Sequence, residues 1–518
     1  MNWSPAAIAA RDPDREALVF GARRWTYGDL DRFSARVAAL LWHEGLSQGD
    51  VVALLVSNRP EFLGLAWAAQ RSGLYFLPIP TRLTPGEVRY ILEDSGARVL
   101  IASPDLAALG AAASEGLDLR RYGLDDGGGL PPLAAAPGDH SPPPAIEGGD
   151  MLYTSGTTGR PKGVRRPLAG EELGSDGRRV ERGAALFGFD ADTIFLSPAP
   201  LYHAAPLRFA MNLLRAGAKL VGMEKFDAAA ALGLIERERV THSQWVPTMF
   251  SRLLALPGDA RAAQDLSSHR CAIHAGAPCP PSVKRAMIDW WGPILHEYYS
   301  GTESVGFTHI SSPEWLARPG SVGRAFGCTI HILDDDGREV PPGTTGTVYF
   351  EGKAGLEYHN DPEKTRGALD AHGWATMGDI GHVDDDGFLF LTDRRNFTII
   401  SGGVNVYPSE VEAALIEHPA VRDCAVFGLP YSDLGEVVAV LVESDAATGP
   451  HDIELARRIA ADIAATLAGP KRPRLWRFES VGRTETGKIH KQKLRDASRE
   501  AGRMIDLRMS APARDGGS

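Results

Sequence analysis

Short apolar runs alternate with amphipathic helical stretches along the first half of the chain, and this alternation restricts the fold more than any other feature. A strand-like piece at Trp25 leads through a turn at Gly28 into a helix with Leu30, Phe33, Val37, Leu40 and Leu41 at helical spacing. The β-branched run Val51 to Val56 follows. A helix over Glu61 to Ser72 leads to the extended piece Tyr75 to Ile79, and another over Gly86 to Ser95 precedes Arg98 to Ala102. Strands alternating with helices predict an α/β fold whose mostly parallel sheets are covered by helices.

The alternation resumes with Thr193 to Ser197 and Lys219 to Gly222 as strands, and with helices over Pro206 to Arg215 and around Ala228 to Glu238. It carries to about Trp291. From Cys328 the pattern changes to short strands, Thr329 to Leu333, Thr347 to Glu351 and Phe388 to Leu391, punctuated by Asp-Asp-Asp-Gly at 334–337 and 384–387. That pattern predicts a β-rich subdomain. Beyond Phe397 a compact α+β unit is expected, with a helix from Ser409, strands near Val421 to Gly428 and Val437 to Val442, and a helix from Asp452. The expected division is therefore a large N-terminal domain, 1–393, and a small C-terminal domain, 394–518. Glycine and proline runs between Gly123 and Ala145 predict a mobile surface loop, and the small polar residues Ser510 to Ser518 a frayed end.

Composition narrows the function classes. A net charge of −11 over 518 residues gives no reason to expect wholesale electrostatic binding to nucleic acid or an anionic membrane, so an anionic ligand must be met by local positive groups. Cys271, Cys279, Cys328 and Cys424 lack CxxC spacing, which argues against a zinc site or disulfide framework and suits a reducing cytosol, hence a cytoplasmic protein. No run approaches the roughly 20 apolar residues of a membrane span, and the N-terminal stretch has no signal-peptide core.

The stretch Met151 to Val164, MLYTSGTTGRPKGV, reads as a phosphate loop. Gly156 and Gly159 let backbone N–H groups approach an anion, Thr154, Ser155, Thr157 and Thr158 add hydroxyl donors, and Lys162 adds a positive charge. It is not the loop of the P-loop NTPases, in which Ser or Thr follows Gly-Lys. By itself the loop fits an anion cradle or a solvated turn, and it names no reaction.

Six further stretches follow in order: Pro200-Leu201-Tyr202-His203; Gly276-Ala277-Pro278; Tyr299-Ser300-Gly301-Thr302-Glu303; Gly378-Asp379; Asp393-Arg394 with Ser401-Gly402-Gly403; and Thr486-Gly487-Lys488-Ile489. With the phosphate loop they resemble the AMP-forming acyl-CoA synthetases, the adenylating superfamily that also holds firefly luciferases and peptide-synthetase adenylation domains. The resemblance runs from about Trp25 to Arg495. It implies a large domain and a mobile C-terminal lid. It also implies two half-reactions: a carboxylic acid and ATP give acyl-AMP and pyrophosphate, and coenzyme A then takes the acyl group.

The resemblance assigns roles residue by residue. Lys488 matches the adenylation lysine, Glu303 the Mg²⁺ ligand, and Thr302 a phosphate contact; Tyr299, Ser300 and Gly301 belong to the same nucleotide motif. Asp379 and Arg394 match the ribose contacts, Gly276, Ala277 and Pro278 the wall against adenine, and Ser401, Gly402 and Gly403 the pantetheine channel. His203, Gly301 and Gly306 are expected beside the acyl pocket. Trp245 suits either that pocket or a buried core. Attack at phosphorus piles charge on an already anionic group, so cations are the residues such a site needs.

Three positions depart from the family pattern: Met377 stands where Thr is usual, Arg165-Arg166-Pro167 replaces a His-containing segment, and Asn396 occupies the hinge position usually held by Lys or Asp. The reading is an acyl-CoA ligase using ATP, Mg²⁺ and CoA on a bulky, largely apolar acid, with no nucleic-acid partner. The alternatives are an enzyme that loads a carrier protein's phosphopantetheine, and a non-catalytic nucleotide or acyl binder.

Overall fold

The computed structural model describes residues 2–125, 129–133, 143–154, 161–175, 177–352, 357–394, 397–401, 404–431, 435–467, 469–484, 487–501 and 504–507. The chain forms two compact units. The first comprises Met1–Ala275, Ile288–Val305 and Lys353–Leu369; the second comprises Gly276–Met287, Gly306–Gly352 and Asp370–Ser518.

The first unit has the expected α/β architecture. In one seven-stranded sheet, Tyr75–Pro78, Val51–Leu55, Ala97–Ala102, Arg120–Gly123 and Gly149–Thr154 pair in parallel. Lys162–Arg165 and Glu357–Tyr358 add antiparallel strands at one edge. Val51–Leu55 is buried at every position, as an unbroken apolar run must be when helices cover both faces. A further sheet lays Leu295–Tyr299, Cys271–His274, His242–Trp245, Ile194–Ser197, Lys219–Gly222 and Glu16–Phe20 side by side in parallel, with Arg23–Thr26 antiparallel at its end.

Helix ends follow their local chemistry. Thr26 and Asp29 form a capping box at Tyr27–His43, and Thr84 and Glu87 form another at Pro85–Ser95, which ends on Gly96 in the left-handed region. Gly28, expected as a turn, lies instead in the first turn of Tyr27–His43. A Cβ there would come within 2.8 Å of the Pro13 carbonyl oxygen, so the position is a close approach and not a bend.

The second unit holds the β-rich segments and the C-terminal segments. Thr329–Leu333, Gly346–Glu351, Ala375–Val383, Phe388–Arg394 and Ser321–Ala325 run antiparallel in that order, followed by Thr308–Ser311. In the C-terminal part Asp423–Tyr431 and Gly435–Glu443 form a long antiparallel pair extended by Leu475–Phe478, and helices Pro408–Ile416 and Ile453–Asp462 bury Val411, Leu415, Leu455 and Ile459 in its core. Among the described residues no helix is long and apolar enough to cross a membrane, and no disulfide links the cysteines. Part of the glycine and proline stretch, 126–128 and 134–142, lies outside the described residues, as does the end from 508.

Candidate active site

The phosphate-loop stretch brackets an antiparallel pair of strands, Gly149–Thr154 and Lys162–Arg165, in which Thr154 faces Lys162 and Tyr153 faces Gly163. Ser155, Gly156, Thr157, Thr158 and Gly159, in the segment 155–160 between them, lie outside the described residues. Gly163 is small of necessity, since a Cβ would sit 3.0 Å from the Met151 methyl and 3.1 Å from both His359 and Tyr153. Tyr153 donates its hydroxyl to Asp94 Oδ2 at 2.6 Å, and burial together with that carboxylate pushes its ionisation far up.

Lys162 is paired. Its Nζ donates to Asp361 Oδ2 at 2.6 Å, while Asp361 Oδ1 accepts from the Lys364 N–H at 2.9 Å and caps the helix Pro362–Gly367. The bond from Lys162, then that from the Lys364 amide, hold the Asp361 carboxyl below the usual carboxylate range.

Asp361 ends a strap, residues 357–361, that runs along the hairpin edge. Glu357 and Tyr358 pair with Arg165 and Val164. Tyr358 donates its hydroxyl to Glu303 Oε1 at 3.0 Å, and His359 Nε2 and Asn360 Nδ2 both donate to the Asp94 carbonyl, at 2.9 and 3.0 Å. One strap therefore holds the lysine of the phosphate hairpin and the carboxylate expected to bind metal.

Glu303 sits just past the strand Leu295–Tyr299, in a turn fastened from two other directions. Arg208, on the helix Ala204–Ala216, donates Nη1 to the Thr302 carbonyl at 3.0 Å and to Ser304 Oγ at 2.8 Å, with Nε and Nη2 on Asp150 Oδ2 at 3.1 and 2.6 Å. Arg166 donates to the Ser304 carbonyl at 3.0 Å. Ser304 is left-handed, φ 52, an unusual conformation for a residue with a Cβ and one that these bonds help to hold. No cluster of three or more His, Cys, Asp or Glu able to hold a metal occurs among the described residues. A carboxylate that accepts one hydrogen bond from a phenol suits Mg²⁺, which is commonly held by one or two carboxylates plus substrate phosphates.

His203 is the N-cap residue of Ala204–Ala216, with its ring 4.5 Å from that of Tyr202. On the same helix Phe209 packs against Tyr298, Phe187 and Phe189 at 5.6, 5.8 and 6.0 Å. Gln244 donates to the Tyr298 hydroxyl at 3.2 Å. Trp245, its neighbour on the strand His242–Trp245, points to the opposite face. Its Nε1 donates to Ser243 Oγ at 2.6 Å, the ring packs on Trp291 and Phe250, and only 1% of the residue is exposed. Of the two expectations for Trp245, the buried core matches this packing. Burial also keeps two histidines of this sheet region neutral, lowering His242 to about 4 and His269 to about 3.

In the second unit Asp379 and Arg394 face each other across the antiparallel strands Ala375–Val383 and Phe388–Arg394, Asp379 being 7% exposed. Their spacing of residue types in the sequence becomes one register pair. Gly276 has φ 91, a conformation only glycine adopts without strain, ahead of Ala277 and Pro278. Gly306 packs under the Phe350 ring, which an added Cβ would overlap. Ser401 pairs with Val404 in a hairpin whose Ile400 and Val404 are exposed; Gly402, Gly403 and Asn396 lie outside the described residues, as does the side chain of Arg394.

Lys488 is exposed at the end of a tight turn. Its N–H donates to Thr484 Oγ1 at 3.0 Å, its carbonyl accepts from the Thr484 N–H at 2.9 Å, and Gly487 supplies φ 76. Arg483 fixes that turn by donating to the Gly487 carbonyl at 2.7 Å and to both oxygens of Asp423 at 2.5 and 2.6 Å.

Arg208, Asp150, Tyr358, Asp361, Gln244 and Tyr298 are the residues that sequence reasoning missed. Each enters through a partner far away in the chain, so no local spacing announces it. Only the strand alternation at Gln244 and Trp245 held a usable signal.

The chain is similar to proteins of known activity. Residues 6–357 match the model of the AMP-binding enzyme family, and 410–488 that of the AMP-binding enzyme C-terminal domain. The chain is 34% identical to the long-chain-fatty-acid–CoA ligase FadD13 of Mycobacterium tuberculosis, over 96% of this chain and 98% of that one. It is 34% identical to a feruloyl-CoA synthase of an Amycolatopsis species, over 95% and 98%. Its structure matches that of o-succinylbenzoate CoA synthetase from Bacillus subtilis in complex with an acyl-adenylate, with a TM-score of 0.82, 26% identity, and 96% and 98% of the two chains covered. The chain thus belongs to the AMP-binding enzymes, the adenylate-forming superfamily, and within it to the acid–thiol ligases of the AMP-forming acyl-CoA synthetase type.

Proposed function

We propose that the chain converts a bulky, largely apolar carboxylic acid, a medium- or long-chain fatty acid, an aryl acid or a steroid side-chain acid, to its acyl-adenylate and passes the acyl group to coenzyme A. One observation carries the reading: a cation and a carboxylate from distant parts of the chain, Lys162 and Glu303, hang from the same strap through Asp361 and Tyr358. A positive group beside a carboxylate able to take Mg²⁺ suits the pyrophosphate end of ATP. The aromatic cluster of Phe187, Phe189 and Tyr298 around Phe209, which lies on the helix that begins after His203, favours an apolar acid. The relatives, a long-chain-fatty-acid–CoA ligase and a feruloyl-CoA synthase, point the same way.

In this reading Thr154, the loop to Gly159 and Lys162 steady the β- and γ-phosphates, Thr302 meets phosphate, and Tyr299, Ser300 and Gly301 border the nucleotide. Glu303 would hold Mg²⁺, which neutralises charge on the departing pyrophosphate. Gly276, Ala277 and Pro278 pack on adenine, while Asp379 accepts from the ribose hydroxyls and Arg394 donates to them. Lys488 bridges the acid's carboxylate and the α-phosphate while the new P–O bond forms and pyrophosphate leaves. A swing of residues 394–518 about Asn396 then withdraws Lys488, and the thiol approaches along Ser401, Gly402 and Gly403.

A panel of carboxylic acids assayed for AMP release with ATP tests this. Acid-dependent AMP formation that stops when CoA is omitted, while acid-dependent pyrophosphate exchange persists, is the expected result. Turnover sustained by a phosphopantetheinylated carrier and not by CoA would favour the carrier-loading alternative. Saturable ATP binding with no AMP from any acid would leave a binder.

A further inference from the structure

The ion pair between Lys162 and Asp361 presents a conflict if Lys162 is to meet ATP. A lysine already neutralised at 2.6 Å is a poor phosphate ligand until its partner is displaced. Three features of the pair decide how that happens.

The pair is open to exchange. Side-chain exposures of 23% for Lys162 and 30% for Asp361 leave both groups in reach of water and of an incoming anion. The two partners are unequally anchored. Asp361 has a short side chain whose second oxygen caps the Pro362–Gly367 helix through the Lys364 N–H, so it stays behind when the pair opens. Lys162 has a long flexible stem and can turn toward phosphate. The strap also treats its two ends differently: Glu303 receives a hydroxyl from Tyr358, whereas Lys162 receives a carboxylate.

We propose that Asp361 is an exchangeable counter-ion of Lys162, holding the ammonium in place until the polyphosphate end of ATP displaces it. Asp361 thereby sets the affinity for nucleotides that carry β- and γ-phosphates. The inference rests on the proposed placing of those phosphates at Lys162. The exchange needs no covalent step; it replaces one carboxylate–ammonium contact by a phosphate–ammonium contact and leaves Asp361 facing Lys364, whose Nζ lies 3.9 Å from the Tyr358 ring centroid. The retained carboxylate also repels the bound phosphates. It therefore opposes ATP binding twice, by occupying the lysine and by its own charge, and it favours departure of pyrophosphate.

Asp361→Asn removes the charge and keeps the helix cap, because Asn caps as well as Asp; Asp361→Ser does the same with a smaller group. Calorimetric titration of the full chain with ATP, pyrophosphate and AMP separates the outcomes. Both variants should bind ATP and pyrophosphate about three- to tenfold more tightly than the wild type, the size expected for removing one partly screened like charge. AMP, which has no β- or γ-phosphate, should bind unchanged, and the KM for the acid should stay put. Weaker or unchanged ATP binding in both variants, or an equal shift for AMP, overturns the proposal. The ligase reading fails on a different result, the absence of acid-dependent AMP formation in the wild type.

Discussion

The turn that presents Glu303 and the turn that presents Lys488 are built on opposite plans. Around Glu303, side chains from three separate elements converge: Arg208 from a helix, Arg166 from beyond the hairpin strand and Tyr358 from the strap. Around Lys488 the turn is closed chiefly on itself, through bonds between Lys488 and Thr484 and from Arg483 to the Gly487 carbonyl, with Asp423 as the distant anchor of Arg483. A carboxylate that must meet a hard cation at fixed distance gains from a preset position. A lysine that arrives and leaves with a moving segment needs a firm backbone under a reaching side chain. The first plan spreads sensitivity over many remote residues, and the second concentrates it in one.

The largest expected effect comes from the concentrated plan. Lys488→Ala should lower adenylation about 100- to 1,000-fold, as loss of a transition-state cation does, while thioester formation from supplied acyl-AMP falls much less. Pyrophosphate exchange and single-turnover thioester assays read the two steps, and equal loss in both would break the contrast. The distributed plan is tested next by Arg208→Gln, which removes the ion pair with Asp150 and the bonds to the Thr302 carbonyl and the Ser304 hydroxyl. We expect adenylation to drop roughly 10- to 100-fold, with partial return in Arg208→Lys, since removing one partner of a part-buried pair costs several kcal/mol.

Acid should act on the first unit through its buried histidines. His242 at about 4 and His269 at about 3 sit below the ordinary imidazole value, so between those points and pH about 6.5 the unfolded chain binds more protons than the folded one. The stability they contribute is complete above pH about 6.5 and is lost as pH falls, by up to about 1.4 kcal/mol per pH unit for each histidine. Thermal unfolding followed from pH 7 to pH 5 measures the slope, and His269→Gln should flatten it.

The smallest effect is expected for Tyr358→Phe, which removes a single bond to Glu303 and keeps the ring beneath Lys364. The Mg²⁺ concentration for half-maximal adenylation should rise about two- to fivefold, the cost of one hydrogen bond to a charged group. Equilibrium binding of ATP without metal should be unaffected. A change in metal-free binding would mean that Tyr358 acts on Lys162 as well, and the strap would have to be treated as one unit.

Sequence patterns reached unevenly into this site. The strands Val51–Leu55 and Lys219–Gly222 were legible because a buried parallel strand must be an apolar run. Asp379 and Arg394 were legible as residue types, yet only the antiparallel register makes them partners. Lys162 and Asp361 lie 199 residues apart, Arg208 and Thr302 94, and nothing local in either segment marks the other. Trp245 was ambiguous because alternation puts neighbours on opposite faces without saying what covers each face; the Trp291 and Phe250 side is core.

The sequence by itself determined the α/β class of the first unit, the β-rich change after Cys328 and the ordered motifs of an adenylating ligase. The first two follow from periodicities and local backbone demands that a few neighbouring residues impose on one another, and the third from the resemblance of the motifs to those of the adenylating family. The tertiary structure decided which side chains hold those motifs in place: the strap that ties Lys162 to Asp361 and Glu303 to Tyr358, and the arginine that fastens the Glu303 turn. Charge pairing and hydrogen bonding act over a few ångströms in space with no regard for separation along the chain, so only the folded arrangement could reveal them.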